Sequence, residues 1–139
     1  MKKTLIALTA AGLFASTAAF AQPMAAGGGQ LLTSVPSSSL TVTDWYKQDV
    51  YDQQNNKIGE IMDVLVNKGG QVEAAIVGVG GFLGAGEKDV AVSFNSIKQT
   101  MKNDKVYLTM DTTKDALKKA PGFKYDSNKT TWVRDTSSK

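Results

Sequence analysis

Short strand patterns separated by tight turns constrain the fold of this chain more than any other feature of its sequence. These segments alternate apolar and polar residues or are rich in Val and Ile, as β-strands are. They span residues 50–51, 58–66, 72–79, 89–94 and 105–110. Lys68-Gly69-Gly70 lies between the two longest segments and is typical of a hairpin turn. Because closing a small sheet removes its exposed apolar edges, the pattern predicts a mainly β fold, a small closed antiparallel barrel.

One short C-terminal helix is predicted beyond these strands. Thr112-Thr113-Lys114-Asp115 fits a capping box ahead of a helix that runs to Lys119. Pro121-Gly122 then ends the helix, and residues 123–133 have room for a last short strand. Within 58–66 the alternation is imperfect, which predicts a β-bulge. Asp63 is a charge among apolar residues there, and we expect it to face water or to accept a hydrogen bond from a turn amide.

The segment "GGFLGAGEKD", residues 80–89, has glycine spacings close to those of two nucleotide-binding loops. Both kinds of loop hold phosphate at the start of a helix, and the residues that follow here alternate with a period of two instead. A phosphate-binding P-loop is also excluded because Glu87 separates Gly86 from Lys88, and Asp89 stands where Ser or Thr is needed. The segment is therefore predicted to connect two hairpin strands, with glycines that adopt positive φ where the chain reverses.

Two apolar residues lie at the tip of this predicted connection. Phe82 and Leu83 either fold back to plug the end of the barrel or project as an apolar contact for a partner. We take them as the candidate interaction surface. Its residues are Gly80, Gly81, Phe82, Leu83, Gly84 and Gly86.

The N-terminal residues resemble a secretory signal peptide. Lys2 and Lys3 precede an uncharged, largely apolar run, and Ala19-Phe20-Ala21 has small residues where a signal peptidase cleaves. We expect residues 1–21 to be removed, with cleavage between Ala21 and Gln22. The product would cross the inner membrane to the periplasm and keep no stable membrane span. The alternative is an uncleaved N-terminal membrane anchor.

The mature chain has room for one domain. Residues 22–40 are rich in Gly, Ser, Ala and Pro and are predicted to be a flexible linker. Residues 41–125 are predicted to be the domain, and 126–139 a C-terminal tail with at most one short strand. Removing Lys2 and Lys3 leaves 14 Lys and Arg against 13 Asp and Glu, a net charge of +1, instead of 16 against 13. Since nucleic-acid binding depends on clustered positive charge, no nucleic-acid partner is expected.

Several kinds of catalytic site are excluded by composition, because the chain has no Cys and no His. Disulfides, thiolate nucleophiles, Cys/His metal clusters and a Ser-His-Asp triad all need one of these residues. The acidic pairs have no recognised ligand spacing, and we expect turn, capping or solvent-facing roles for them. These pairs are Asp49 with Asp52, Glu87 with Asp89, and Asp111 with Asp115. We predict no enzymatic activity, no catalytic residue, no cofactor and no metal site.

The aromatic residues have two interpretations, a ligand-binding surface or packing in the core and at its rim. Packing is the expected role, because aromatic side chains bury a large area. The residues concerned are Trp45, Tyr46, Tyr51, Tyr107 and Trp132.

The run "VYDQQNNKIGEIMDVLVNKGGQVEAAIVGVGGFLGAGEKDVAVSF", residues 50–94, resembles a PRC-barrel domain. The matching features include Lys57-Ile58-Gly59-Glu60-Ile61, the Gly-Gly turn, the Gly-Gly-Phe-Leu-Gly run and Asp89-Val90-Ala91-Val92. The late "TKDALKKAPGF" is similar to the family's closing helix, so the resemblance covers about residues 41–125. Ser93 departs from the pattern, since many members have Pro in this strand. The resemblance implies a compact β-barrel used for docking or assembly, without catalytic residues to carry over.

These observations together predict an exported, non-enzymatic module for protein–protein interaction or envelope assembly. Its protein partner is not identified by the sequence, and self-association stays open. The alternative is a small-ligand-binding or cation-binding envelope protein with a role in stress.

Overall fold

The computed structural model describes residues 24–26, 29–80 and 86–137. The chain divides into two compact units, one up to Ser39 and one from Leu40 onward. The first unit contains an antiparallel ribbon of β1 (Met24–Ala26) and β2 (Gly29–Leu31), inside the segment predicted to be a linker. The predicted signal peptide and its cleavage site at Ala21 and Gln22 lie outside the described residues.

The second unit is mainly β, as predicted. It opens with a one-turn helix, and a second short helix begins at Lys114. Its strands are β3 (Asp49–Tyr51), β4 (Lys57–Val66), β5 (Val72–Val79), β6 (Lys88–Ser93), β7 (Ile97–Lys102), β8 (Lys105–Met110), β9 (Gly122–Asp126) and β10 (Thr131–Arg134). Its helical elements are α1 (Val42–Trp45), a 3-10 turn (Phe94–Ser96) and α2 (Lys114–Lys119). In the part of the chain that the structure describes, no helix is long and apolar enough to cross a membrane.

Both helices begin at threonine caps. The hydroxyl of Thr41 accepts a hydrogen bond from the amide of Asp44, and that of Thr113 accepts one from the amide of Ala116. Such caps satisfy amides that have no partner within the helix. The predicted C-terminal helix is therefore present, but its N-cap is Thr113 and its third residue is Ala116, so Thr112 and Asp115 do not form the predicted capping box. Lys88, on β6, caps its other end, because Nζ donates to the carbonyls of Lys118 at 2.6 Å and Ala120 at 3.0 Å.

The eight strands of the second unit form one sheet in the order β10-β9-β6-β5-β4-β3-β8-β7. Every pair is antiparallel except β3 with β8, which is parallel. The predicted hairpin at residues 68–70 joins β4 to β5, and Gly70 has a φ of 82°. Among the described strands β7 and β10 have one neighbour each, so the sheet is not closed and the predicted closed barrel is not confirmed.

The core lies on one face of this curved sheet. On β5, Ala75, Val77 and Val79 point into it, as the period of two requires. Trp45 and Leu117 bring the two helices onto the same cluster. Gly59 permits the closest approach, because a Cβ there would lie 2.9 Å from the carbonyl oxygen of Gly78 and overlap Val77.

The opposite face of β5 is covered as well. Ile76 is fully buried but does not belong to the core cluster. Its partners in register are Asp63 on β4 and Ala91 on β6. Trp132 of β10 reaches this face and donates a hydrogen bond from Nε1 to Asp63 Oδ2 at 2.7 Å. The predicted bulge is present, since the register shifts between Ile61 and Asp63.

Candidate functional site

The two ends of the glycine segment meet at one edge of the β5–β6 hairpin. Gly80 and Gly86 have φ values of 128° and 76°, which confirms positive φ at both. A Cβ on Gly80 would lie 2.8 Å from the carbonyl oxygen of Gly86, so the chain leaves and returns at the same point. The next element is the strand β6, which pairs along β5, and not a helix. The described end of the segment therefore has no helix N-terminus to hold a phosphate group, as predicted.

The candidate interaction surface includes four residues of the glycine segment between Gly80 and Gly86. Gly81, Phe82, Leu83 and Gly84 lie outside the described residues. Their role in binding stays a prediction.

Acidic side chains lie beside the ends of this segment. Asp49, Glu60, Gly78 and Asp89 are successive partners in register across β3, β4, β5 and β6, and side chains of directly paired residues share a face. Gly78 leaves room for a neighbour, because a Cβ there would overlap the Glu87 carboxylate. The row thus brings Asp89 and Glu87 of the predicted acidic pair to the same side of the sheet.

Asp89 is the one described residue with a buried side-chain oxygen, Oδ1, that has no hydrogen-bond partner. Burial raises the pKa of the Asp89 carboxyl, the negative charge of Glu87 raises it further, and Lys47 opposes the change. Lys47 Nζ also lies 3.6 Å from Glu60 Oε1, so the negative charge of Glu60 partly offsets the positive charge of Lys47. The carboxylate of Asp89 is therefore held in an environment that disfavours its charged form.

A cleft of about 320 Å³ opens next to this row. Its walls consist of two lysines, two glutamates, three glycines and one isoleucine. They are Lys57, Ile58, Gly59, Glu60, Gly78, Gly80, Glu87 and Lys114. Within the described ranges no three acidic side chains converge as a metal ion requires.

In the other two acidic pairs, each carboxylate has its own structural surroundings. Asp49 forms an ion pair with Lys57 at 2.6 Å. Asp52 accepts hydrogen bonds from the amides of Gln54 and Asn56, both at 2.9 Å, which lower the pKa of its carboxyl. Asp115 lies in the first turn of α2, and Asp111 is exposed just before it. The structure therefore assigns Asp52 and Asp115 to a turn and a helix start, as expected.

The aromatic residues are mostly packed, as predicted, with one exception. Trp45 is buried and stacks on Phe94 with ring centroids 4.5 Å apart. Tyr51 stacks on Tyr107 at 4.7 Å, and Lys102 lies 4.7 Å from the centre of the Tyr107 ring. Tyr46 is exposed instead. Tyr51 and Tyr107 thus pack against each other, and both also line an open groove beside the β7–β8 hairpin.

An apolar groove of about 50 Å³, which sequence reasoning missed, lies at the far end of β5 from the glycine segment. Its floor is formed by Trp45 and its rim by aliphatic side chains that remain exposed: Val42 by 57%, Leu40 by 49% and Val72 by 38%. The apolar groove is lined by Leu40, Thr41, Val42, Trp45, Val64, Val72 and Phe94. Val66, which pairs with Val72, is also exposed and extends the apolar surface along the β4–β5 hairpin.

A sequence signal for this groove exists. Thr41 is the N-cap of α1, so Leu40 and Trp45 occupy the positions before the cap and at the fourth helical residue. Apolar residues at these two positions pack together as a hydrophobic staple. The spacing therefore places Leu40 beside Trp45, although it does not reveal that Val72 lies there too.

A family model described as PRC-barrel domain matches residues 39–117, from just before α1 into α2. No curated protein matches the chain.

Proposed function

Because the chain belongs to the PRC-barrel domain family, we propose that it is an exported, non-enzymatic module that binds another protein or helps to assemble the cell envelope. One observation carries this proposal, the apolar groove at the end of β5. Contiguous exposed aliphatic side chains around a cleft are typical of a contact surface. The partner would insert an apolar side chain over Trp45, between Val42 and Val72.

The groove is built on rigid supports, which favours binding with little loss of conformational entropy. The hydrogen bond from the Trp45 indole to the Gln99 side chain and the stack on Phe94 fix its floor. Val64 and Val72 are held in the β4–β5 ladder. A preformed surface of this kind keeps more of the burial energy as affinity.

Paired serine substitutions test the groove. Fully burying a valine contributes about 1.5 kcal/mol, so Val42→Ser with Val72→Ser should weaken a partner complex at least tenfold. The measurement is quantitative co-purification from the envelope fraction, compared with Lys129→Ser, an exposed control that does not line the groove. Unchanged recovery of a partner by a folded groove variant would remove this surface from the proposal.

Export is the second part of the proposal, and it is supported by the sequence of residues 1–21. The positive start, the apolar run and Ala19-Phe20-Ala21 fit recognition by a signal peptidase. N-terminal sequencing of the mature protein should begin at Gln22. A chain that still begins at Met1 would favour the membrane-anchor alternative.

The alternative function, binding of a cation or small ligand, is favoured by the Asp89 oxygen that has no partner among the described residues. Asp89 pairs in register with Gly78, which lines the cleft. This alternative has less support, because among the residues that the structure covers no three carboxylates converge on one point. A thermal-shift screen with calcium, nucleotides and apolar ligands tests it, since a ligand that binds only the native state raises the melting temperature. A reproducible shift that disappears in Asp89→Asn would favour this alternative.

A further inference from the structure

The outer edge of β7 is open to another strand. In the described sheet β7 pairs only with β8, through the two-residue turn Asn103-Asp104, whose φ values are 51° and 59°. In such a hairpin the pair that flanks the turn is hydrogen-bonded, and bonded pairs alternate with unbonded ones. The backbone N–H and C=O groups of Gln99 and Met101 therefore point away from β8. The Thr100 hydroxyl, which donates to the Tyr107 carbonyl at 3.4 Å, is consistent with this assignment.

The same edge is positively charged. Lys98 and Lys102 alternate along one face of β7, and Lys105 is opposite Lys102 on β8. All three side chains are exposed, and none has a carboxylate within 4.0 Å among the described residues. Asp104, in the turn, is the only acidic residue of this hairpin. The charge and the unpaired backbone thus occur on one strand.

The other face of β7 is apolar at its end. Met101 is 64% exposed and is opposite Val106. Both residues line an open groove of about 1000 Å³ beside the hairpin, together with Gln99 and Lys102. The same groove is also lined by three acidic residues, Asp44, Asp49 and Asp104. A strand added next to β7 would place its side chains alternately next to Met101 and on the face of Lys98 and Lys102, where the salt bridges of the described residues include neither lysine.

We propose that β7 binds an extended acidic peptide segment of another protein as an additional strand. The peptide carries acidic side chains at alternate positions, next to Lys98 and Lys102, and an apolar side chain between them, next to Met101. Main-chain hydrogen bonds to Gln99 and Met101 provide affinity and the lysines provide selectivity. Pairing between two copies of this chain is disfavoured, because edge lysines repel each other. This site adjoins the apolar groove through one contact, since the Gln99 side chain accepts a hydrogen bond from Trp45, but neither proposal depends on the other.

The test is fluorescence anisotropy of the full chain with a labelled peptide in which Glu alternates with Val. The charge reversals Lys98→Glu with Lys102→Glu should weaken binding at least tenfold. Lys118→Glu with Lys119→Glu makes the same change of charge on α2 and should leave binding within twofold. Met101→Pro removes an edge N–H without breaking the β7–β8 ladder and should also weaken binding at least tenfold. The same peptide with N-methylated amides along one edge should bind as weakly, and this comparison leaves the protein unchanged.

Four results would overturn the proposal. The first is no binding of the acidic peptide, and the second is equal binding of a peptide in which Lys replaces Glu. The third is full binding of the N-methylated peptide, which would show that charge acts without strand pairing. The fourth is binding of phosphatidylglycerol vesicles that depends on Lys98 and Lys102, without peptide binding, which would identify a lipid-facing surface.

Discussion

Trp132 and Asp63 join the last strand of the chain to β4. The indole Nε1 donates to Asp63 Oδ2 at 2.7 Å, and the amide of Val64 donates to the other carboxylate oxygen at 2.8 Å. The two residues are 69 positions apart in the sequence. Together they cover the outer face of β5, where Ile76 is fully buried. The C-terminal hairpin is therefore a structural part of the sheet unit.

Removing the indole donor should destabilise the fold. Trp132→Phe leaves Asp63 Oδ2 without that partner, and a lost hydrogen bond to a charged group costs about 2 kcal/mol. The free energy of unfolding, measured by urea denaturation, should fall by at least this amount, because the smaller ring also covers less of the face around Ile76. Tyr125→Phe is the matched control, since Tyr125 is 54% exposed and its hydroxyl makes no hydrogen bond among the described residues. Equal losses for both variants would show that the Asp63 contact is not stabilising.

Asp52 should stabilise the fold at neutral pH and lose that effect in acid. Hydrogen bonds from Asn56 and Gln54 lower the pKa of its carboxyl in the folded state. A group with a lowered folded pKa stabilises above its unfolded value and loses the effect as pH falls through the folded one. Asp52→Asn should therefore unfold more easily than the wild type at pH 7, with the difference closing as the pH falls through the lowered folded pKa. Denaturation curves taken across the acidic range measure the difference, and Asp111→Asn, at an exposed position, is the control for removing a surface carboxylate at pH 7.

Asp89 should show the opposite dependence on pH. Burial raises the pKa of its carboxyl, so the charged form destabilises the native state above the folded pKa and no longer does so below the unfolded value. Asp89→Asn removes the charge and should stabilise the protein at pH 7 by about 1 kcal/mol, the lower range for a buried unsatisfied group. The gain, measured as a rise in melting temperature, should disappear below about pH 4. A variant that is less stable at pH 7 would indicate that the carboxylate has a partner in solution.

The glycine segment is predicted to contact a partner, and thermal melting shows whether a variant in this segment is still folded. Phe82→Ser with Leu83→Ser should weaken a partner complex while the domain still melts cooperatively, if these side chains project from the β5–β6 connection. Leu31→Ser with Leu32→Ser changes two leucines that are 60% and 64% exposed and is the matched control. Unchanged binding by the first variant would show that Phe82 and Leu83 are not a contact surface.

The strands with regular apolar alternation could be predicted from the sequence. The period of two after Gly86 correctly predicted β6 and excluded a nucleotide loop, and the glycines at 69 and 70 correctly predicted the β4–β5 hairpin. The strand β7 was missed, because Lys, Gln and Thr occupy most of its positions and only Ile97 is buried. Its turn, Asn103-Asp104, has residues that favour positive φ and was the available signal.

Contacts between distant strands account for what the sequence could not reveal. Asp63 was expected to face water or a turn amide, and its bond to the next amide fits this, but its second partner is Trp132. That partner depends on how the β9–β10 hairpin crosses the sheet, which no local pattern encodes. The apolar groove likewise combines Val42 of α1 with Val72 of β5, two residues that only the folded chain brings together.

The most direct test of the proposed function is site-specific photo-crosslinking in cells that make the protein. A benzophenone side chain is placed at Val42, at Val72 and, as a control, at Lys129, whose side chain is 69% exposed. If the apolar groove binds a protein partner, Val42 and Val72 should yield the same crosslinked protein, and Lys129 should not. No crosslink from either groove position, or the same crosslinks from all three, would contradict the proposal that this domain binds its partner through the groove.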